Sequence, residues 1–411
     1  VKLLYFVPET VATHRADVAM LFGSALPKHG ILTHLVGMPA EGATYTSAFA
    51  EVSMPGPTIG RARRELAYFG LCLRTLAVSA SGCDVLQVRD MVPTGLLVMV
   101  WAWLLRRPFV YWMSFLMSEG RIERARSDLA GQLPLRGRLR ARVVLTRGLV
   151  ERWLLYRVVL RLADHVFVQS DEMRRHVARR GIAYDRLTPV PMGVDCDRLN
   201  PDAVVPRRLA GWEGVPIIAY LGMIERRRRF DLLVDAMVIL RARFPEARLL
   251  LIGDAPARAH LDELSAYARC RGLADVVHVT GWLPTDDAWT LLAGADAAVS
   301  IIPRGEIFDV SSPTKLLEYL ALATPCVAND SPDQAWVLAQ SGAGLLCSTT
   351  PQAIAGGLIE ILEAPAVARQ RAAAGPSFIR RERSYSVVGA RVAEQYQRIS
   401  ARRSGQCGPT S

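Results

Sequence analysis

The sequence predicts a tandem of two α/β domains, each built on a doubly wound parallel sheet. Three observations carry this expectation. The chain has 411 residues, more than one hydrophobic core usually serves. Of these, 51% are apolar, enough for two cores. Short buried-type runs alternate with helical ones from end to end, which is the pattern of a parallel sheet covered on both faces.

In the first half the order is "KLLYFVP" (strand), "DVAMLFGSALPKHG" (helix), "ILTHLVGM" and "DVLQVRD" (strands), "TGLLVMVWAWLLRR" (helix), "PFVYWMSF" (strand), a long Arg-rich helical region, and "DHVFVQS" (strand). The second half repeats the alternation. It runs through "VPIIAYLG", "FDLLVDAMVILRARFP", "ARLLLIGD", "RAHLDELSAYARCRG", "VVHVTGW", "DDAWTLLAGA", "DAAVSIIP", "SPTKLLEYLALA" and "TPCVAND". Between them "TPVPMGVDCDRLNPDAVVPRRLAGWEGVP" is rich in Pro and Gly and lacks periodicity, so it reads as a link. The expected domains are residues 1–195 and 205–380, with a last helix at about 385–402 packing back on the first. Open sheets of this Rossmann-like kind take ligands beyond the carboxyl ends of their strands. Two of them are expected to face each other across a cleft.

Composition narrows the partners. The seven cysteines are scattered, with no CxxC pair, which disfavours a zinc or dithiol site and fits a reducing compartment. The opening "VKLLYFVPE" reads as a strand and not as a secretory leader, and the longest apolar stretch is broken by Arg106 and Arg107, too soon to span a bilayer. The formal net charge is +11, and residues 121–180 hold fifteen Arg against six Asp or Glu. Such a surface favours anionic partners, although solvated helix faces give the same count.

Two loops carry chemistry. Lys315 is one of only three lysines, and the other 47 of the 50 basic residues are arginine. In "SSPTKLLEYLALATP", Ser312 is the expected N-cap and Pro313 the first helical residue. Lys315 and Glu318 then share a face. A cation in a first helical turn opposes the helix dipole by about 0.3–1 kcal/mol, unless an anion binds there. A Lys315–Glu318 salt bridge is the competing reading. The second loop, "YLGMIERRRRFDLLVDAM", places Arg226 to Arg229 between a strand and a helix, where four guanidiniums repel unless an anion, or solvent, takes up their charge.

These phrases, with "ADHVFVQSDEMRRHVARRGIAYDRLTPVPMGVDCDRLNP", "LLLIGD", "VVHVTGWLP" and "AGADAAVSIIPR", make residues 160–345 resemble the retaining GT-B-fold glycosyltransferases of family 4, in the branch that builds bacterial surface polysaccharides and glycolipids. The first 150 residues resemble that family loosely. The resemblance implies that Glu318 holds the ribose hydroxyls of a nucleotide-diphosphate-sugar, and that Arg228 or Arg229, with Lys315, binds the diphosphate. It implies base contacts around Trp282 and Leu283, and further substrate contacts from Gly253, Asp254, Asp309, Ser311, Ser312 and Thr314. Fixed cations stabilise a departing diphosphate, so no metal and no cofactor are expected.

The sequence also departs from the family pattern. Val310 stands where many relatives carry a Glu that touches the donor sugar, Ala323 replaces a loop glycine, and Met223 replaces an arginine. Ser114 takes the place of a histidine after an amino-terminal strand, leaving Ser114 and Glu119 as candidates for the transferred sugar. His14, in the loop after the first strand, is a further candidate contact. Arg89 and Asp90 end a strand, where acceptor contact and a salt bridge both remain open. Asp195 and Asp197 spell a DxD without a third ligand and are discounted as a metal site.

The expected activity is transfer of a sugar from a nucleotide-diphosphate-sugar to a polysaccharide or lipid-linked acceptor, in the cytoplasm, with an anionic membrane surface as a further partner. A nucleotide-sugar epimerase of the same fold is the alternative. A nucleic-acid-binding protein is less favoured, because residues 121–180 interleave few aromatics with their arginines.

Overall fold

The computed structural model describes residues 1–11, 15, 17–38, 49–56, 60–131 and 134–403. It forms two compact units, Val1–Pro191 with the C-terminal helix Tyr385–Arg403, and Met192–Ser384.

The first unit has seven strands: β1 (Lys2–Thr10), β2 (Leu32–Met38), β3 (Glu51–Ser53), β4 (Val85–Arg89), β5 (Phe109–Met113), β6 (His165–Val168) and β7 (Leu187–Pro189). They pair in parallel in the order β3-β2-β1-β4-β5-β6-β7. Every residue of β4, β5 and β6 is buried, as a parallel sheet covered on both faces requires. On one face an aromatic chain runs from Tyr5 through Phe22, Trp112 and Phe167 to Tyr396, with ring centroids 4.5–5.1 Å apart. Tyr396 belongs to the C-terminal helix, and its hydroxyl donates to Gln87 on β4, so this helix is part of the first core.

The second unit has β8 (Ile217–Leu221), β9 (Arg248–Ile252), β10 (Val277–Val279), β11 (Ala297–Ser300), β12 (Cys326–Asn329) and β13 (Leu345–Cys347). All ladders are parallel, in the order β10-β9-β8-β11-β12-β13. Strand order reverses between β8 and β11, so the ligand crevice of such a sheet lies beyond the ends of those two strands. Residues 192–204, read from the sequence as part of a link, lie within this unit. Val194 donates its N–H to the Arg383 carbonyl at 2.8 Å, and Leu199 and Val204 enter the core.

Periodicity missed β3, β7, β13 and the helices Arg61–Ser79, Pro332–Ser341, Pro351–Glu363 and Pro365–Ala372. The three strands are three residues long, too short to show alternation, and β7 runs into the Pro-rich stretch. Among the described residues no helix is long and apolar enough to cross a membrane.

The capping expectation at Ser312 is corrected. The helix opens at Thr314, its capping position falls on Pro313, and no side chain caps it. The Ser312 hydroxyl instead donates to Asp333 Oδ2 at 2.7 Å and accepts the Met192 N–H at 3.0 Å. Beyond the other end of this helix Ala323 has φ 53°, the left-handed conformation that a glycine adopts freely. That strain costs about 1–2 kcal/mol, and the extra freedom of an unfolded glycine offsets about half of it. Ala323→Gly is therefore expected to stabilise the protein by about 0.5–1 kcal/mol, read as an increased urea midpoint at unchanged m value.

Candidate functional site

The site is built where the loops after β8 and β9 nearly touch. Gly222 and Gly253 have φ of 130° and 145°, and a Cβ on Gly253 would stand 2.2 Å from the Gly222 carbonyl oxygen. No other residue permits this approach without moving the backbone. The two glycines, with Met223, Asp254, Trp282 and Leu283, line a cavity of about 450 Å³. Trp289 and Glu318 close one side of it.

Lys315 reaches the same place from the helix Thr314–Ala321. Leu316, Leu317 and Leu320 fix that helix in the core, each at most 1% exposed. This turns the Lys315 side chain across Gly222, where a Cβ would lie 3.5 Å from its Cε. Its ammonium sits 5.0 Å from the centre of the Tyr220 ring. Burial, then the nearby Arg228 charge, push the Lys315 ammonium well below its ordinary range. Among the described residues no carboxylate lies within ion-pairing distance of it. The competing Lys315–Glu318 salt bridge is therefore not formed.

Glu318 is engaged elsewhere, accepting the Trp289 indole N–H at 3.0 Å. Dense packing pushes its carboxyl up to about 7, against the opposing pull of that hydrogen bond and of Lys315. It is only partly covered, so it keeps an opening toward the cavity. The carboxyl has remaining lone pairs, and the geometry suits a vicinal diol.

The arginine run is a short turn, Arg226–Arg228, followed by Arg229 in left-handed geometry. Its members separate in role. Arg226 lies 3.4 Å from Glu263, and Arg229 forms a fork with Asp231 at 2.8–3.1 Å. Arg228 has no carboxylate partner among the described residues. It lies 5.9 Å from the centre of the Phe308 ring, close enough for its charge to depress Lys315. Among the described residues Arg228, and Lys315 beside Gly222, are thus cations without a carboxylate partner near the end of β8, as is Arg227 in the same turn.

Other expected contacts are committed to the protein. Asp309 pairs with Arg304 at 2.7 Å, and the Ser311 hydroxyl donates to the Phe308 carbonyl at 2.6 Å. Ser312 is held by Asp333, as described above, and Thr314 begins the helix. Asp254 and Trp282 stay exposed at the cavity, Trp282 by 67%. Val310 is buried at 2% and Met223 lies exposed at the cavity edge, so neither restores the charge of the residue it replaces.

In the first unit Ser114 is buried after β5, donating its hydroxyl and its N–H to Asp90. Glu119 is buried too, accepting from Ser118 at 2.8 Å and from the Tyr156 hydroxyl at 2.9 Å. These bonds occupy both its oxygens. His14 lies outside the described residues.

Sequence reasoning missed Trp289, whose helix shows an ordinary apolar periodicity, and Tyr220, an apparent core residue. It also missed a buried network that holds the loop after β11. Asn329 accepts the Ile302 N–H and donates back to the Ile302 carbonyl, both at 2.8 Å. Gln334 reaches Ser300 and Asn329 in turn. A polar residue inside an apolar run, as in "CVAND", was the available signal.

Residues 17–198 match the family described as "Glycosyltransferase Family 4" and residues 215–364 the one described as "Glycosyl transferases group 1". A phosphatidyl-myo-inositol mannosyltransferase of Mycobacterium tuberculosis is 30% identical over 224 residues, covering 51% of this chain and 54% of that protein. A GDP-mannose-dependent alpha-(1-6)-phosphatidylinositol monomannoside mannosyltransferase of Mycolicibacterium smegmatis is 28% identical over 214 residues, covering 51% and 55%. The chain thus spans about half the length of these curated relatives. Among solved structures, Anabaena HepE in complex with UDP and glucose aligns at TM-score 0.70 and 16% identity, over 96% of this chain and 99% of that one. WaaG, a glycosyltransferase involved in lipopolysaccharide biosynthesis, aligns at 0.66 and 15%, over 96% and 99%. With a family match in each half and a shared fold along nearly the whole chain, the protein belongs to the GT-B-fold glycosyltransferases of family 4.

Proposed function

We propose that this chain is a retaining glycosyltransferase that moves a hexose from a nucleotide-diphosphate-sugar to a lipid-linked or glycan acceptor. The observation that carries the reading is the Lys315 ammonium, buried against the cavity-lining Gly222 with no carboxylate among the described residues within ion-pairing distance. A diphosphate supplies the missing charge. Lys315 and Arg228 hold it as it departs, Glu318 takes the ribose hydroxyls, and Trp282 and Leu283 flank the base. In the transfer, the bond from the anomeric carbon to the diphosphate oxygen breaks and a bond to the acceptor oxygen forms on the same face. The diphosphate takes the acceptor's proton. The two cations do the neutralising that a metal does in other transferases, and no cofactor enters the step. Relatives named for GDP-mannose and phosphatidylinositol, and a structural neighbour that holds UDP and glucose, support a nucleotide-hexose donor and a lipid acceptor.

A lipid acceptor calls for access to a membrane, and the first unit has a surface suited to it. On the helix Leu135–Leu154, Leu135, Leu139, Val143, Val150 and Trp153 are exposed and share one face, Leu135 by 82%. Exposed arginines 136, 138, 140 and 142 surround that stripe. Trp103 and Leu104, ending the helix Val92–Leu104, are exposed beside Arg106 and Arg107 in sequence. Apolar side chains flanked by guanidiniums match an anionic bilayer surface. This surface supports a cytoplasmic protein, peripheral on the inner face of the membrane.

Lys315→Ala and Glu318→Ala are each expected to lower transfer at least about 100-fold, the scale of losing one charge-stabilising group, while the fold is kept. Thermal shift against UDP-, GDP-, ADP- and TDP-sugars identifies the base, and the shift is expected to vanish in Lys315→Ala. Undiminished turnover in both variants contradicts the assignment.

The raised Glu318 carboxyl gives a pH signature. The folded state holds its proton up to about 7 and the unfolded state only to about 4.5, so folding is favoured below that window and loses stability as pH rises through it. Glu318→Gln removes this loss. Its melting temperature is expected to gain on the wild type between about pH 5 and about pH 8; a constant difference is the contrary result.

Flotation with vesicles of anionic lipid at low salt is expected to carry the protein upward, and Trp153→Asp with Leu139→Asp to abolish it. Failure of the wild type to float even at low salt removes the membrane placement.

A further inference from the structure

The helix Thr314–Ala321 has no side-chain cap, so its first turn is placed from outside. Ser312, just before it, is 5% exposed, accepts the Met192 N–H and donates to Asp333. A third partner comes from a distant part of the chain. Arg383 Nη1 donates to the same Ser312 hydroxyl at 3.4 Å, and its Nη2 donates to Asp333 Oδ1 at 2.6 Å. Arginine, aspartate and serine thus close a ring of hydrogen bonds. Arg383 itself is 3% exposed, with its guanidinium carbon 5.0 Å from the centre of the Trp336 ring and its carbonyl accepting the Val194 N–H.

Arg383 ends a π-helical turn, Ile379–Arg383, a form that occurs often at functional sites. The residues leading to it run along the lysine's helix. Phe378 and Ile379 share a core with Leu316, Leu317 and Leu320, and a Cβ on Gly375 would stand 2.4 Å from the Leu320 carbonyl oxygen. These contacts already hold the segment against the helix. A buried ion pair adds little net stability to such packing, because desolvation offsets the attraction, and apolar residues of similar volume do as well. What the guanidinium alone supplies is direction, since its planar fork fixes both acceptors at set angles. Between the Ser312 it fixes and Lys315 lie only Pro313, with φ −73°, and Thr314, so little freedom remains to absorb a displacement.

We infer that Arg383 is a positioning residue for the transfer, setting through Ser312 and Asp333 where the first turn of the helix begins and hence where the Lys315 ammonium stands. Arg383 is not among the residues that line the cavity, so it acts through Lys315 and not on the substrate. The consequence for binding rests on the reading of Lys315 as a diphosphate contact. The placement of the lysine does not.

The chain offers a direct probe, because Lys2, Lys28 and Lys315 are its only lysines. The full chain grown with lysine carrying carbon-13 at Cε gives one NMR signal from each, and Lys315→Ala identifies the one that matters. In Arg383→Gln and in Ser312→Ala the Lys315 signal is expected to move while those of Lys2 and Lys28 stay in place. Titration calorimetry with UDP and GDP is expected to show binding weakened by about tenfold in both variants. In a Lys315→Ala background Arg383→Gln is expected to weaken binding by less than about twofold, since both changes remove one shared interaction. A Lys315 signal that stays in place in Arg383→Gln overturns the inference, even where stability falls, and so does full additivity of the two substitutions. Should Arg383→Gln fail to fold, Ser312→Ala decides by the same comparison. A displaced Lys315 signal, with nucleotide binding unaltered by Lys315→Ala, contradicts the diphosphate reading and leaves the positioning role standing.

Discussion

An ammonium group buried without a carboxylate is the constraint on which the second unit turns. Desolvating a charge is costly unless it is paired, and proteins usually answer with a salt bridge or a shifted proton. Here Glu318 lies on the same helix, three residues on, yet it bonds to Trp289, and burial with the like charge of Arg228 loosens the lysine's hold on its proton until an anion binds. The arrangement is unfavourable for the unliganded protein and favourable for a bound diphosphate. Nearby features follow from keeping it in place: glycines 222 and 253 let the lysine chain and two loops share one small volume, and three leucines clamp its helix.

The first unit meets the same problem with the opposite solution. Arg89 is more deeply buried than Lys315, but carboxylates surround it and its charge is neutralised on the spot. A neutralised cation does not attract an anion; it fixes the orientation of the carboxylates around it. One sheet end therefore keeps a cation without a carboxylate, and the other neutralises its own.

Much of this was legible from residues alone. Both sheets follow from runs such as "LLLIGD" and "PFVYWMSF", because strands buried on two faces admit little except apolar residues. Lys315 and Glu318 stood out since a lone lysine in an arginine-rich chain, in a first helical turn, has no local reason to be there. What stayed hidden depends on distant parts of the chain. Nothing in "RRRR" tells Arg228 from Arg229; the difference is made by Asp231, which captures only the latter. Ser312 read as a cap because Ser-Pro is the usual opening of a helix, but Asp333 lies 21 residues away and takes its hydroxyl. Ser114 and Glu119 read as free polar groups after a strand, and their partners Asp90 and Tyr156 are 24 and 37 residues distant.

Precision at the lysine depends on a second layer that never touches the cavity. The loop from Ile301 to Pro313 carries the chain from β11 to the helix, and a loop of that length is mobile unless its polar groups are satisfied. Asn329 bonds both backbone groups of Ile302 at one end, and Ser312, Asp333 and the buried Arg383 lock the other, with Arg383 Nη2 2.6 Å from Asp333 Oδ1. Arg304 bridges Asp309 and Asp330 in between. Asp309 is thus consumed in holding the loop still. The loop is thereby held by Asn329, Asp330, Asp333 and Arg383, while Glu318, the nearest carboxylate on the lysine's own helix, is held by Trp289.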